Sequence, residues 1–289
     1  MRILILGDSL GLPRPHRINN YSPLEQELAV SYEQTYSSII QRSLLETFKF
    51  EPYFEIINRS RRFCTLRDID AEFADYLFFY EPDIIVLQIG IVDCWFREGR
   101  TQMVNSEDFQ NYLNKILKML SLRQNCFLII VGISPTSSKM DERHGGLNEE
   151  ISKYNQIYKA NVDNKRIFYI DMEQYVDPSD VHKYLLPDDH HLNPEGNLLV
   201  ANDLLRIIYS LTYNKIGYQL HQQQDMDGAL ARFELAYKLY PYNVDNIYNY
   251  IFLLHNKNDI EQLQLVSEFC EENIYDPDIQ QLLFECNIK

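Results

Sequence analysis

Two different patterns of apolar residues divide this chain into two parts. Up to about residue 210, short runs of consecutive apolar residues alternate with longer segments in which apolar residues recur at every third or fourth position. Consecutive runs are typical of strands covered on both faces, and the wider spacing is typical of amphipathic helices. Alternation of the two predicts a doubly wound, mostly parallel sheet. We therefore predict an α/β domain over residues 1–211.

The individual elements of this part follow from the same pattern. The predicted strands are Arg2–Leu6, 53–57, 83–90, 126–133 and 167–171, and the predicted helices are Tyr32–Phe48, Leu66–Tyr80, 106–120 and Asn148–Asn161. Ser106 is the expected N-cap of the helix over 106–120. Open parallel sheets bind ligands beyond the carboxyl ends of their strands. The functional loops are therefore expected at Ser9, Asn58, Gly90 and Ser134.

From about residue 212 on, the strand pattern stops and polar, tyrosine-rich helical pairs replace it. The segment 213–242 fits a helix–turn–helix repeat of about 34 residues, the tetratricopeptide repeat. Its small positions are Gly217, Ala229 and Ala236, its large filler is Phe233, and Pro241 ends it. A second copy is degenerate because Ile251 stands where a small residue belongs. We predict a small all-α, helical-repeat region over residues 212–289, with a generic helical bundle as the alternative.

Charge and cysteine content narrow the classes of partner and compartment. The formal net charge of −15 disfavours nucleic acids and anionic membranes as partners. The five cysteines are scattered without the spacing of metal ligands, which favours free thiols in a reducing compartment. The chain starts directly with a predicted strand, and its apolar runs are too short to span a bilayer. We expect a cytoplasmic protein without a secretion signal or a membrane span.

Two short motifs carry candidate chemistry. Gly7 permits a tight turn after the first strand, and Ser9 on that turn is either a presented nucleophile or an ordinary helix-capping serine. Far along the chain, Asp188 and His191 stand three residues apart on the loop before a helix that Pro194 begins. A serine hydroxyl is a weak nucleophile that needs a neutral imidazole within hydrogen-bond reach and a carboxylate to orient that imidazole. The two motifs together contain all three groups.

Gly7-Asp8-Ser9-Leu10 after an N-terminal strand, combined with Asp188-x-x-His191-Leu192-Asn193-Pro194, resembles the SGNH or GDSL-type hydrolase family over roughly residues 1–210. The resemblance implies a flavodoxin-like α/β fold and esterase or acyl hydrolase activity. It also implies that Ser9 is the nucleophile, His191 the general base and then acid, and Asp188 its orienting partner. No cofactor is expected. A metal site at Asp188, His190 and His191 is the alternative, which is disfavoured because adjacent residues rarely point at one ion. Asp189 and His190 are then expected to be solvent-exposed.

Two further family blocks, which supply oxyanion donors, depart from the pattern here. Phe63 stands where the family has a glycine that donates its backbone N–H, and it suits that role only if its φ is not positive. In the Gly-x-Asn-Asp block, Gly90 and Asp93 match, but Val92 replaces the asparagine and donates nothing. Losing one donor typically costs about 10²–10³ in turnover. The backbone N–H of Ser9 remains, and Asp93 either orients these loops or caps a turn.

Four arginines are expected on loops at the carboxyl edge of the sheet: Arg14, Arg61, Arg62 and Arg97. Arg14 belongs to a long polar loop over residues 10–31, which prolines keep from being helical and which we interpret as a lid. The simpler interpretation, which we favour, is that these arginines pair with surface acids. Since guanidinium groups suit carboxylates and phosphates, the competing hypothesis is an anionic substrate such as an acylated acidic sugar, a nucleotide sugar or an acyl thioester.

These observations favour a serine esterase that removes a short acyl group, such as acetyl, from a small-molecule ester or an acylated glycan. The saccharide follows from the habit of the family alone. Two alternatives stay open, a catalytically impaired binding module and an O-acyltransferase with the same triad. The helical region predicts a protein partner or self-association. With five basic and twelve acidic residues from Leu211 on, it favours a basic or neutral partner.

Overall fold

The computed structural model of this chain describes residues 1–14, 30–49, 52–96 and 101–286. Within these ranges five strands form one parallel sheet: β1 (Arg2–Gly7), β2 (Glu55–Asn58), β3 (Ile84–Gln88), β4 (Phe127–Val131) and β5 (Ile167–Ile170). The spatial order is β2-β1-β3-β4-β5. This is the flavodoxin-like order, in which the direction of winding reverses between β1 and β3. The predicted fold class is confirmed.

Helices cover this sheet and continue beyond it. They are α1 (Tyr36–Thr47), α2 (Leu66–Phe79), α3 (Ile91–Cys94), α4 (Ser106–Leu120), α5 (Ser138–Arg143), α6 (Leu147–Lys159), α7 (Pro194–Gln222), α8 (Met226–Leu239), α9 (Val244–Asn256), α10 (Ile260–Asn273) and α11 (Pro277–Glu285). The predicted N-cap of α4 was wrong by one residue, because the side chain of Asn105 accepts the Asp108 N–H at 2.9 Å. In the described ranges, no helix combines the length and the hydropathy that crossing a membrane requires.

The core of the α/β part lies on both faces of the sheet. Ile3, Leu4, Ile5 and Leu6 of β1 are completely buried, as expected for a strand between two neighbours and two helical layers. On one face, α2 and α4 pack against each other. The apolar stripe predicted for α4 is buried at four positions, Phe109, Leu113, Ile116 and Leu120, and partly buried at Leu117. The hydrophobic periodicity therefore predicted the packed face correctly.

Gly7 ends β1 for a different reason than the predicted tight turn. Its φ is not in the left-handed region. A Cβ at this position would lie 3.0 Å from the carbonyl oxygen of Gln88 and 3.0 Å from Ser60 Oγ. Gly7 therefore allows β3 and the loop after β2 to approach the chain just before Ser9, which is a close-approach role.

Buried Asp93 ties the loop after β3 to the helix that follows β2. Its carboxylate accepts the backbone N–H of Leu66, the first residue of α2, at 2.9 Å, and its side chain has no exposure. Burial raises the pKa of Asp93 to about 8, and the negative charges of Asp8 and Asp68 act in the same direction. Of the two roles considered for Asp93, the structure favours orientation of the loops.

Residues 204–289 form a compact unit separate from residues 1–203. The helix predicted to begin near Tyr213 is not a separate element, because α7 runs without interruption from Pro194 to Gln222. Gly217 lies against the ring of Phe233, as the repeat pattern predicted: a Cβ on Gly217 would come within 2.6 Å of that ring. α9 packs against α8, α10 and α11 around a buried apolar cluster. The tetratricopeptide assignment and the domain limits at 211 and 212 stay predictions.

Replacing Asp93 with Asn is expected to stabilise the protein at neutral and alkaline pH. The folded pKa of Asp93 lies above the unfolded value of about 4, so folding retains a proton that the unfolded chain releases, and stability falls as pH rises from about 4 to about 8. Asn keeps an acceptor for the Leu66 N–H and does not ionise. Urea unfolding at pH 8 should show a gain on the order of 2–4 kcal/mol that vanishes near pH 4. Exposed Asp75→Asn on α2 is the control, and an equal pH dependence in wild type and Asp93→Asn would contradict the raised pKa.

Gly217→Ala is expected to destabilise the helical unit. The added methyl group would push the ring of Phe233 aside, at a cost of about 1–3 kcal/mol that exceeds the gain of about 1 kcal/mol in helix propensity. In a double-mutant cycle with Phe233→Leu, the Ala substitution should cost clearly less, because the ring is gone. Thermal unfolding of the four proteins measures this. A stabilising Gly217→Ala substitution in the wild-type background would show that the two residues are not in tight contact.

Candidate active site

Ser9 lies on a short 3₁₀ turn, Ser9–Gly11, directly after the carboxyl end of β1. The residue that caps this turn is Asp8, whose side chain accepts the backbone N–H of Leu10 at 2.8 Å. The capping interpretation of Ser9 was therefore wrong. With Asp8 serving as the cap, the Ser9 hydroxyl is directed to another partner.

That partner is His191, which lies 182 residues later in the chain. Ser9 Oγ is 2.8 Å from His191 Nε2, and His191 Nδ1 is 2.8 Å from Asp188 Oδ2. Since an ionised carboxylate only accepts, Nδ1 carries the proton and Nε2 is the acceptor for the serine hydroxyl. The structure thus brings the three predicted residues into one hydrogen-bonded series.

The ionisation of this series follows from burial and from near charges. Burial raises the pKa of Asp188, but the hydrogen bond from His191 and the positive charges that His190 and His191 carry in acid outweigh it, and the pKa lies well below its usual range. Burial also lowers the pKa of His191, and the positive charges of Arg14 and Arg62 add to this, while Asp188 opposes them. His191 is therefore a neutral imidazole beside an ionised carboxylate at neutral pH.

The loop that carries Asp188 and His191 is closed by backbone bonds. Leu185 and Leu192 form an antiparallel bridge, and Leu186 N donates to the His191 carbonyl at 2.7 Å. Asp188 Oδ1 accepts the backbone N–H of His191 at 3.0 Å, which fixes the carboxylate against its own loop. The backbone of this loop therefore sets the geometry of the His–Asp pair.

Two asparagines to which the sequence analysis assigned no role anchor this loop. Asn193 Oδ1 accepts the Gly196 N–H at 2.8 Å as the N-cap of α7, and its amide donates to carbonyls of the preceding turn at His182 and Lys183. Asn197 Oδ1 accepts the backbone N–H of Tyr36 at 3.0 Å, which joins α7 to the start of α1. The sequence signal for Asn193 as an N-cap was its position directly before Pro194, which begins the helix.

His190 and Asp189 are not the solvent-exposed residues that were predicted. The His190 ring lies 5.1 Å from Trp95 and 4.1 Å from His191, centroid to centroid, and burial lowers its pKa to about 4. Asp189 adopts a left-handed φ of 63° and accepts the Ser137 hydroxyl at 2.8 Å. Packing and hydrogen bonding of both residues add rigidity to the loop.

Ligand atoms of Asp188, His190 and His191 lie within 4.8 Å of one another, which is close enough for a shared cation. Each of them is already engaged, however. Asp188 Oδ2 and His191 Nδ1 bond to each other, and His190 Nδ1 lies 2.7 Å from the Asp188 carbonyl oxygen. Hydrogen bonding accounts for the cluster without an ion.

The positions predicted to supply oxyanion donors differ in the conformation and burial of their backbone and side chains. In the part of the chain that the structure describes, the backbone N–H of Ser9 donates to no protein acceptor. Phe63 has a φ of 59°, so it fails the condition of a non-positive φ on which its role as a donor depended. Two residues earlier, Arg61 N donates to the Gly7 carbonyl at 3.0 Å. Gly90 also has a positive φ, of 130°, and Val92 is buried in the core.

The four arginines differ in their surroundings. Arg14 is buried and donates to Asp188 Oδ2 at 3.2 Å, and Arg61 donates to Glu72 at 2.7 Å. Arg62 is exposed on the loop after β2. Arg97 and residues 15–29 of the predicted lid lie outside the described residues. Two of the arginines therefore pair with acids of the protein itself.

The fold is similar to several solved hydrolase structures. An alpha/beta hydrolase from the metagenome of Lake Arreo, Spain, has a TM-score of 0.52 and 19% identity over 70% of this chain and 91% of its own. The lipase/acylhydrolase from Enterococcus faecalis has a TM-score of 0.52 and 16% identity over 71% and 94%. An acetyl xylan esterase from Geobacillus stearothermophilus has a TM-score of 0.50 and 17% identity over 71% and 93%. At such identities the likeness shows the fold alone.

No curated protein matches this sequence. A model of the GDSL-like lipase/acylhydrolase family matches residues 6–199, a range that includes both the Ser9 turn and the loop of Asp188 and His191. Since that range spans most of the chain, this protein belongs to the GDSL-like lipase/acylhydrolase family.

Proposed function

We propose that this protein is a serine esterase that hydrolyses a short-chain acyl ester through an acyl-serine intermediate. One observation carries the proposal: Ser9 Oγ lies 2.8 Å from His191 Nε2, and His191 Nδ1 lies 2.8 Å from the Asp188 carboxylate. These are the distances at which an imidazole takes up a serine proton. Membership of the family supports the same reaction class.

The steps follow from the roles of the three groups. Ser9 Oγ attacks the acyl carbonyl carbon while His191 Nε2 accepts the hydroxyl proton. The imidazolium, whose charge the Asp188 carboxylate stabilises, then gives that proton to the leaving alcohol, and an acyl-serine remains. Water then attacks the acyl carbonyl carbon of the acyl-serine while His191 Nε2 accepts a proton from that water. The imidazolium returns this proton to Ser9 Oγ as the bond between Ser9 and the acyl group breaks and the carboxylic acid leaves.

The negative charge on the tetrahedral intermediate needs hydrogen-bond donors. The backbone N–H of Ser9 is the candidate donor, because Phe63 has a φ of 59° and does not meet the condition of a non-positive φ for that role. Val92 is buried in the core, and its apolar side chain donates no hydrogen bond to the intermediate. With one side-chain donor absent, we expect turnover to be lower by about 10²–10³ than in an enzyme that has all of its donors.

For the substrate we propose an acetyl ester, carried by a saccharide or another small molecule. Support comes from the structural likeness to an acetyl xylan esterase and an acetyl-xylooligosaccharide esterase. We also propose that the substrate is anionic and that Arg62, which is exposed, and Arg97 bind its negative charge. An O-acyltransferase would follow the same steps with a sugar hydroxyl in place of water.

The competing proposal is a catalytically impaired binding module. It draws its support from Val92 and from the strained backbone at Phe63. For the helical unit we propose a protein partner or self-association, supported by exposed aromatic residues such as Tyr275 and Phe284. Free thiols at all five cysteines, four of them buried, support a reducing cytoplasm as the location.

A fluorophosphonate probe should label the wild-type protein at Ser9 and should not label Ser9→Ala. Hydrolysis of 4-nitrophenyl acetate should fall by about 10³-fold or more in Ser9→Ala, because the nucleophile is lost. Ser121→Ala, which removes an exposed hydroxyl at the end of α4, is the control and should label as wild type does. Absence of both labelling and turnover in the wild type would favour the binding module.

Phe63→Gly should be more stable than Phe63→Ala by about 0.5–1 kcal/mol, because a left-handed backbone costs a residue with a Cβ roughly 1–2 kcal/mol. Both variants remove the same exposed ring, so their difference in urea unfolding reports the backbone alone. The control pair is Leu122→Gly and Leu122→Ala, since Leu122 is exposed and has an ordinary φ. Here the Gly variant should be the less stable protein. An Ala variant at 63 as stable as the Gly variant would contradict the left-handed conformation.

A further inference from the structure

The chain segment after β1 reaches both ends of the His191–Asp188 pair. Ser9 meets the imidazole at Nε2, and Arg14, five residues later, donates from Nη2 to Asp188 Oδ2 at 3.2 Å. The same oxygen accepts His191 Nδ1 at 2.8 Å. One carboxylate oxygen is thus shared between the imidazole and a guanidinium.

Arg14 is held in place by its own backbone as well as by this contact. Its N–H donates to the Val30 carbonyl at 2.7 Å, and Val30 N donates back to the Arg14 carbonyl at 3.2 Å. The Arg14 side chain is only 10% exposed. A guanidinium that is covered and bonded to Asp188 is poorly placed to act as a simple surface charge.

The remaining oxygen of Asp188 is also occupied. Oδ1 accepts the backbone N–H groups of His191 at 3.0 Å and His190 at 3.4 Å. Donors therefore reach the carboxylate on both oxygens, and one of these donors, Arg14, comes from outside the loop of Asp188. A planar guanidinium that bonds to a carboxylate limits the rotation of that carboxylate.

The positive charge of Arg14 has a second consequence for His191. The groups that face this imidazole are the Asp188 carboxylate, the guanidinium groups of Arg14 and Arg62, and neutral His190. Asp188 favours a protonated ring, while Arg14 and Arg62 oppose it. Arg14 therefore offsets part of the attraction between Asp188 and a proton on His191.

We propose that Arg14 is a positioning residue of this active site: it orients the Asp188 carboxylate toward His191 and keeps the imidazole in its neutral, proton-accepting form. The proposal rests on the proposed esterase function. It assigns to Arg14 a contact within the protein in place of the substrate contact that the sequence suggested.

The test compares Arg14→Gln, which removes the charge, with Arg14→Lys, which keeps the charge but not the planar donor. For 4-nitrophenyl acetate, kcat should fall about tenfold in both variants, because the carboxylate is less well oriented. The acid limb of the kcat/KM profile reports protonation of His191 in the free enzyme. In Arg14→Gln the pKa of His191 rises, so that limb should move to higher pH by about half a unit to one unit. In Arg14→Lys it should stay near its wild-type position.

Arg42→Gln is the control, because it removes one positive charge from the surface of α1 and should move neither kcat nor the limb. Arg14→Met repeats the neutral substitution should the Gln variant fail to fold. An acid limb that stays in place in the neutral variants would overturn the proposal. A loss confined to KM for anionic esters would also overturn it and would assign Arg14 to substrate binding.

A second measurement separates failure of this proposal from failure of the esterase function. NMR titration of the His191 ring in wild type, Arg14→Gln and Arg14→Lys needs no turnover. A rise in the pKa of His191 in the neutral variant alone supports the role of Arg14 even in a protein without Ser9-dependent hydrolysis. Equal pKa values in all three proteins would overturn that role even in an active enzyme.

Discussion

The site depends on one hydrogen bond, between Ser9 Oγ and His191 Nε2, whose partners come from distant parts of the chain. β1 has β2 and β3 as its neighbours, so Ser9 emerges where the winding of the sheet reverses and the loops on either side diverge. His191 follows β5, at the far edge of the sheet. The connection after β5 must therefore return across the sheet, and the bridge between Leu185 and Leu192 ends that connection in a closed loop beside Ser9.

Most of the fold follows from local sequence patterns. Consecutive apolar residues identified β1, β3 and β4 because both faces of these strands are covered, and the wider period identified α4 and α6 because each has one apolar side. The continuous helix α7 was not predicted, since apolar periodicity does not distinguish one long helix from two helices that follow each other directly. The N-cap of α4 was displaced by one residue because Asn105 and Ser106 are both good caps.

The three central residues of the site could be predicted because their chemistry requires particular residue types in recognisable motifs. Their surroundings could not, since those depend on contacts between loops. The burial of His190 against Trp95, the φ of Phe63 and the pairing of Arg14 with Asp188 all depend on where separate loops meet. The number of arginines was visible in the sequence, but their partners were not. Two interpretations of these arginines were open, pairing with acids of the protein and binding of an anionic substrate, and Arg14 pairs with a carboxylate of the protein.

The charge state of the site follows from unequal surroundings of similar groups. Asp93 and Asp188 are both largely buried acids, yet the pKa of Asp93 is raised to about 8 while that of Asp188 is held well below its usual range. Asp93 has backbone donors and neighbouring negative charges, whereas Asp188 has donors on both oxygens and a guanidinium beside it. At neutral pH the His–Asp pair therefore consists of a carboxylate anion at Asp188 and a neutral imidazole at His191. A proton that moves from Ser9 to His191 creates an imidazolium beside the Asp188 carboxylate. The positive charge that develops during catalysis is therefore stabilised by an anion that the resting site already holds.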